Sequence, residues 1–187
     1  MKRALSVCLL IAVLCLIGCA GSSEPKVYSH SQARFSITCP AGWSLTSQDN
    51  EMYEFRRGDV KLIEVGGFIF STDPEEIEYM NSLSESELKE FLRSASLDGL
   101  EGYCEEAEIM NWTISDQFHM SWDGRPGYRI RANGYSDPAG VDMTLDLIAA
   151  IDMQSGMLYM LASQISKSQY EATKVDLEAA IQSFRVN

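Results

Sequence analysis

The chain has 187 residues and a net charge of −12, from 27 acidic and 15 basic side chains. A hydrophobic content of 45% excludes an intrinsically disordered protein, and the length suits a single domain. The acidity argues against a nucleic-acid-binding protein, which needs a basic surface to displace counterions, and against electrostatic docking on anionic lipid.

Residues 1–18 are typical of a secretory signal peptide. Two basic residues precede an apolar run over residues 4–17, which is too short to span a bilayer. The following Leu16-Ile17-Gly18-Cys19 resembles a bacterial lipobox. The resemblance implies a diacylglycerol on the Cys19 thiol, cleavage before Cys19 and acylation of the new amine with a fatty acid such as palmitate. An ordinary signal peptide or a transmembrane anchor are the alternatives.

The residues after the lipobox indicate location and domain boundaries. Ala20, rather than an aspartate, follows the cysteine. By resemblance to Gram-negative lipoproteins, this implies a bacterial envelope protein in the outer membrane that faces the periplasm. Residues 20–33 are small and polar, so we expect Cys19 and a flexible tether over 19–33 and a single domain over 34–187.

The first half of the domain predicts short strands and one helix. Strands are expected at 35–39, from Trp43 onward, at 52–57 and at 60–70. Residues 84–98 change to a helical period, with Ser84 and Glu87 as a capping box and Gly99 as a stop. The expected buried stripe is Leu88, Phe91, Leu92 and Ala95.

The second half predicts longer strands and a final helix. Strands are expected at 109–122, around 128–132, at 141–152 and at 157–162. In the first of these, one buried face is predicted, formed by Met110, Trp112, Ile114, Phe118, Met120 and Trp122. The last helix has a predicted capping box at Ser168 and Glu171 and a stripe of Tyr170, Leu177, Ile181 and Phe184.

This order of elements predicts an α+β fold. Hairpin-length links imply a mainly antiparallel sheet, and strands that are apolar on both faces need a helix on each face. We therefore expect a three-layer α/β/α sandwich.

Phe35-Ser36-Ile37-Thr38-Cys39-Pro40-Ala41-Gly42-Trp43 resembles the opening strand and turn of PsbP-like domains. Further similarity lies in the segments 124–128, 156–159 and 183–185. The superfamily includes Mog-type Ran-binding proteins and DcrB-type lipoproteins. The resemblance implies a PsbP-like fold and a non-catalytic domain that binds a protein partner in the envelope. A small-ligand or lipid carrier and an envelope enzyme are the alternatives.

Two cysteines remain after removal of the signal peptide and lipidation of Cys19. Cys39 and Cys104 form an even pair in an oxidising compartment, so a disulfide between them is expected. Two separate buried thiols are the alternative.

One polar face is a candidate partner or ligand surface. Matching the faces of a hairpin places Arg129 and Arg131 beside Asp142 and Asp146, as exposed cross-strand or diagonal pairs. His119 is expected in a polar surface row nearby. Structural support is the favoured interpretation of these pairs, and ligand recognition is the alternative.

An acidic segment is the other candidate surface. Residues 73–108 hold 12 acidic side chains but only two basic ones. A solvated helix face is the simpler interpretation, and the functional alternatives are a docking face for a basic partner or weak binding of divalent cations at the envelope surface. Its expected members are Glu85, Glu87, Glu90, Glu101, Glu105 and Glu106.

The sequence contains no motif for metal-dependent or nucleophilic catalysis. Two histidines cannot build a His-based zinc site, and neither G-x-S-x-G nor S-x-x-K occurs. We therefore expect no catalytic residues, no metal and no cofactor.

Overall fold

The computed structural model describes residues 24–58 and 61–187, with the backbone alone at position 61. The predicted signal peptide, lipobox and Cys19 anchor lie outside these residues. Within the described part of the chain, no helix is both long enough and apolar enough to cross a membrane.

The described residues form ten strands and three helices. The strands are β1 (Lys26–His30), β2 (Phe35–Cys39), β3 (Ser44–Gln48), β4 (Met52–Arg56), β5 (Lys61–Ile69), β6 (Ile109–Trp122), β7 (Arg125–Ser136), β8 (Val141–Asp152), β9 (Met157–Ser166) and β10 (Arg185–Val186). The helices are α1 (Pro74–Ser82), α2 (Glu85–Glu106) and α3 (Lys167–Ser183).

Two antiparallel sheets carry the fold. The larger has seven strands in the order β3-β4-β5-β9-β8-β7-β6, and the smaller has the order β1-β2-β10. Helix α2 lies on one face of the large sheet over β6, β7 and β8, while α3 lies on the other face over β8 and β9. The predicted antiparallel α+β sandwich with a helix on each face is confirmed.

Each face of the large sheet buries its own apolar cluster. On the α3 side, Phe184 stacks on Trp122 with 3.9 Å between ring centroids, and the Trp122 indole N–H donates to the Ile181 carbonyl at 2.8 Å. On the α2 side, Leu92 and Leu100 pack against residues of β7 and β8. Successive residues of β8 alternate between the two clusters, as a strand buried on both faces requires.

Helix α2 begins as predicted but ends later. The reciprocal Ser84–Glu87 capping box is present, whereas the helix continues through Gly99 to Glu106. Its buried stripe is Leu92, Ser96, Leu100 and Cys104, so Phe91 is partly exposed and the predicted stop is wrong. Burial of this i, i+4 stripe outweighs the cost of about 1 kcal/mol for a glycine inside a helix.

Two other helical features differ from the prediction. Helix α1 was not expected, and it starts where the Asp73 side chain accepts from the Glu75 N–H, with Pro74 in the first turn. Helix α3 follows β9 directly after Ser166, which makes no side-chain cap, so the capping box predicted at Ser168 is wrong. The predicted apolar stripe of α3 is buried.

Strand β6 does not have a single buried face. Register shifts occur between Met110 and Thr113 and again between Ile114 and Asp116. Trp112 therefore packs on the α2 side, whereas Trp122 packs on the α3 side. Each bulge inserts a residue and reverses the inward and outward alternation, which makes the predicted face wrong.

The domain begins earlier than predicted. Strand β1 pairs along its whole length with β2, from Lys26 opposite Cys39 to His30 opposite Phe35. His30 is buried, its Nδ1 accepts from the Ala33 N–H at 3.1 Å, and its Nε2 lies 2.9 Å from the Asp49 carbonyl oxygen. Residues 26–33 therefore belong to the fold, and the tether predicted over 19–33 is wrong for them.

Candidate binding groove

The predicted polar pairs form a buried cluster between the large sheet and α3. Arg129 donates to both Asp146 oxygens, from Nε at 2.6 Å and from Nη2 at 2.8 Å. Arg131 and the Tyr170 hydroxyl also donate to Asp146 Oδ2, at 3.1–3.2 Å. The Asp146 side chain has an exposed fraction of 0%, so the expectation of exposed pairs is wrong.

This cluster satisfies its own charges. Burial disfavours the charged form of Arg129, but the hydrogen bonds that it donates to Asp146 and Glu178 outweigh this effect, so the pKa of Arg129 lies above its usual value. Burial and the Asp146 charge raise the pKa of Tyr170 to about 12. Two guanidinium groups face two carboxylates here, which leaves no uncompensated charge for a ligand. The cluster therefore connects β7, β8 and α3, and we call the buried Arg129–Asp146 pair with Glu178 the clamp.

The other members of that predicted face lie elsewhere. Asp142 is opposite Tyr135 and lines a small depression beside Lys167 rather than pairing with an arginine. His119 is exposed, packs edge-on against the Tyr128 ring at 4.7 Å, and sits on the opposite face of the sheet from Arg129. The residues of this predicted face therefore do not form one surface, because Asp142 and His119 lie apart from the Arg129–Asp146 cluster.

The six predicted acidic residues all lie on α2 and are exposed, but they do not act alike. Glu85 pairs with Lys89, Glu87 caps the helix and Glu90 lies near Arg93. Glu106 lines a groove beside the C-terminal end of α2.

The predicted disulfide between Cys39 and Cys104 is not present. Both cysteines are free and buried, and they belong to the clusters on opposite sides of the large sheet. Burial raises the pKa of each thiol to about 11. The sheet between them is the physical reason that the pair does not bond.

A groove of about 900 Å³ opens on the α2 side of the sheet. Helix α2 covers β6, β7 and β8, and the surface of β4, β5 and β9 beside its C-terminal end stays open. Small residues deepen the floor at Gly66 and Ala162. A Cβ at Gly66 would lie 2.9 Å from the Phe68 ring and 3.1 Å from the Glu51 carbonyl oxygen, so a larger residue here would have to displace these neighbours.

Charged residues lie on this otherwise apolar floor. Glu54 and Glu64 are directly opposite each other on β4 and β5. Arg56 Nε donates to Glu54 Oε1 at 2.7 Å, and this bond holds the Glu54 pKa below its usual value. Burial, with repulsion from Glu54 and Glu106, raises the pKa of Glu64.

Tyr103 lies above Glu64 on the last turns of α2. Its hydroxyl is close enough to lower the pKa of Glu64 in part, yet the buried oxygen makes no hydrogen bond of normal geometry within the described chain. Burial, with the Glu64 charge, raises the pKa of Tyr103 well above its usual value. The groove thus combines an apolar floor with the Glu64 carboxylate, which has no salt bridge among the described side chains, and the adjacent buried Tyr103 hydroxyl.

Sequence reasoning missed this groove. The available signal was Glu64 itself, a charge inside the otherwise apolar run of β5. Its neighbours come from four other parts of the chain, and only the strand order brings Ala162 of β9 opposite Glu64.

Comparison with known proteins places the fold. No protein-family model matches the chain, and no curated protein matches it. Among solved structures, cyanobacterial PsbP (CyanoP) from Synechocystis matches with a TM-score of 0.62 and 12% identity, over 91% of this chain and 96% of that one. The Ran-binding protein Mog1p of Saccharomyces cerevisiae matches with a TM-score of 0.57 and 10% identity, over 88% of this chain and 96% of that one.

These similarities define the class of fold. The chain has the same fold as CyanoP and Mog1p, as the opening strand and turn at residues 35–43 predicted. At such low identity, the similarity shows the fold alone, and function has to be argued from the residues of the site.

Proposed function

We propose that this protein is a lipid-anchored domain of the bacterial cell envelope that binds another envelope protein without catalysing a reaction. The groove between β4, β5, β9 and the end of α2 is the observation that carries this proposal. Its size is within the range of ligand-binding clefts, and it holds polar groups on an apolar floor. The lipobox sequence supports anchoring at Cys19 and, with Ala20, a location in the outer membrane facing the periplasm.

The comparison structures agree with a binding role. Mog1p is described as a Ran-binding protein, and it has the same fold. The buried Arg129–Asp146 clamp is fully paired, so it supports the scaffold rather than a reaction.

Anchoring is tested by Cys19→Ser in whole cells. We expect the parent to partition with membranes and to incorporate an alkyne-labelled palmitate, and the variant to lose the label. Cys15→Ser, within the predicted signal peptide, is the matched control and should keep both properties. Unchanged labelling of the Cys19→Ser protein would contradict the anchor.

Binding through the groove is tested by photo-cross-linking in intact cells. A benzophenone amino acid at Met52, which lines the groove, is expected to give a discrete adduct with one envelope protein. The same amino acid at Val175, an exposed position on α3, is the control. Adducts that do not differ between the two positions would contradict groove binding, and a lipid-only adduct at Met52 would favour the carrier alternative.

A further inference from the structure

Glu64 is poorly compensated in the free protein. It faces Glu54 directly across two strands, and like charges in that position destabilise a sheet. The neighbouring cation Arg56 is already bound to Glu54. Among the described side chains, no basic group forms a salt bridge with Glu64 within 4.0 Å.

The Tyr103 hydroxyl, which lies beside Glu64, is a second feature of the free groove. Its oxygen is buried and has no hydrogen bond of normal geometry within the described residues. Leaving a buried polar group without a partner costs about 1–3 kcal/mol. An N–H donor bound beside Glu64 would give this oxygen a partner.

The C-terminal end of α2 is a third feature of the free groove. The last turn of the helix contains Glu105 and Glu106 and no basic residue, although cations stabilise helix C-termini. Glu106 lines the groove, so its carboxylate contributes negative potential at the rim. A bound cation would supply the positive charge that Glu64 and this helix end lack.

We infer that the groove binds a short apolar peptide segment of a partner protein through a lysine or arginine side chain placed between Glu64 and Tyr103. Leu62, Phe68 and Met160 supply apolar floor for the flanking residues of that segment. The groove volume of about 900 Å³ exceeds what a single amine needs, which favours a peptide segment over a free amine. This inference rests on the proposed function, because it names the chemistry of the partner's contact.

The test uses the purified full chain in a nonionic detergent and a fluorescent pentapeptide of alternating leucine and lysine. A second peptide has glutamine at both lysine positions, and hexylamine serves as the free-amine probe. We expect the lysine peptide to bind more tightly than the glutamine peptide by at least about tenfold, as the loss of a charged hydrogen bond predicts.

Two variants locate the contact. Glu64→Gln and Tyr103→Phe should each weaken binding of the lysine peptide, the first by about tenfold, without lowering the melting temperature. Glu78→Gln and Tyr79→Phe make the same chemical changes at exposed positions of α1, outside the groove lining, and should bind as the parent does.

Equal binding of the two peptides, binding insensitive to Glu64→Gln, no binding of either peptide, or tighter binding of hexylamine would each overturn the inference. The proposed function has a separate readout, since the Met52 cross-link in cells does not depend on the charge of the partner. A cross-link without charge-dependent peptide binding would leave the function standing and remove this inference alone.

Discussion

Arg129 and Glu178 connect the large sheet to the C-terminal helix, with Arg129 Nη2 lying 2.6 Å from Glu178 Oε1. The same guanidinium group holds both oxygens of the buried Asp146. One side chain therefore fixes the distance between two strands and the helix that covers them.

Arg129→Met is expected to lower the free energy of unfolding by about 3 kcal/mol, because it leaves the buried Asp146 carboxylate with weaker partners. Urea denaturation measures the loss. Lys174→Met breaks the exposed pair with Glu171 and should change stability by less than about 0.5 kcal/mol. Equal effects of the two substitutions would show that the clamp does not stabilise the fold.

Glu64→Gln is expected to stabilise the protein at neutral pH. Because burial raises the pKa of Glu64, the folded state holds this proton more tightly than the unfolded state. The stability from this group is therefore full below the ordinary carboxyl pKa and is lost as the pH rises through the raised value.

The non-ionisable variant should accordingly exceed the parent by up to about 1 kcal/mol near pH 7, a figure reduced because Glu64 is only half-buried. The advantage should vanish near pH 4. Chemical denaturation at both pH values measures it, and a difference independent of pH would refute the assignment. Glu78→Gln, at an exposed position, should show no such change.

Cys39 and Cys104 are expected to resist alkylation in the folded protein. Both thiols are buried, and burial raises each pKa to about 11, so little thiolate is present at neutral pH. After denaturation without reductant, peptide-level mass spectrometry should find maleimide on both. If both cysteines reacted only after a reductant was added, the result would show that a disulfide joins them.

His30→Ala is expected to lower the free energy of unfolding by about 1–3 kcal/mol, because it removes the buried partners of the Ala33 N–H and the Asp49 carbonyl. His119→Ala changes the same residue type at an exposed position and should cost less than about 0.5 kcal/mol. Parallel thermal denaturation of the two variants measures this difference in stability. Equal stability would mean that residues 26–33 contribute little to the fold.

Much of the fold could be predicted from local patterns. The capping box at Ser84, the strand at residues 35–39 and the pairing of Arg131 with Asp146 all depend on residues near in sequence or joined by one hairpin. Such features follow from periodicity and capping chemistry alone.

The predictions that were wrong concern residues whose environment depends on segments distant in sequence. The two bulges of β6, one before Thr113 and one after Ile114, each reverse its faces, and the alternation in the sequence gives no sign of them. From the sequence, Asp146 is predicted to be exposed, but α3 packs over it. His30 is predicted to lie in a tether, but it belongs to β1, which pairs with β2. The groove needs the β5–β9 pairing, which joins segments almost a hundred positions apart.

If Cys19 is the anchor that we propose, the early start of β1 limits how far the domain can lie from the bilayer. With Cys19 as the proposed anchor, only residues 20–25 separate the lipid from Lys26, where the ordered strand begins. Seven backbone steps span at most about 25 Å even when fully extended. A domain anchored in this way could bind only partners whose contact surface lies close to the membrane, so distance from the membrane would contribute to its choice of partner.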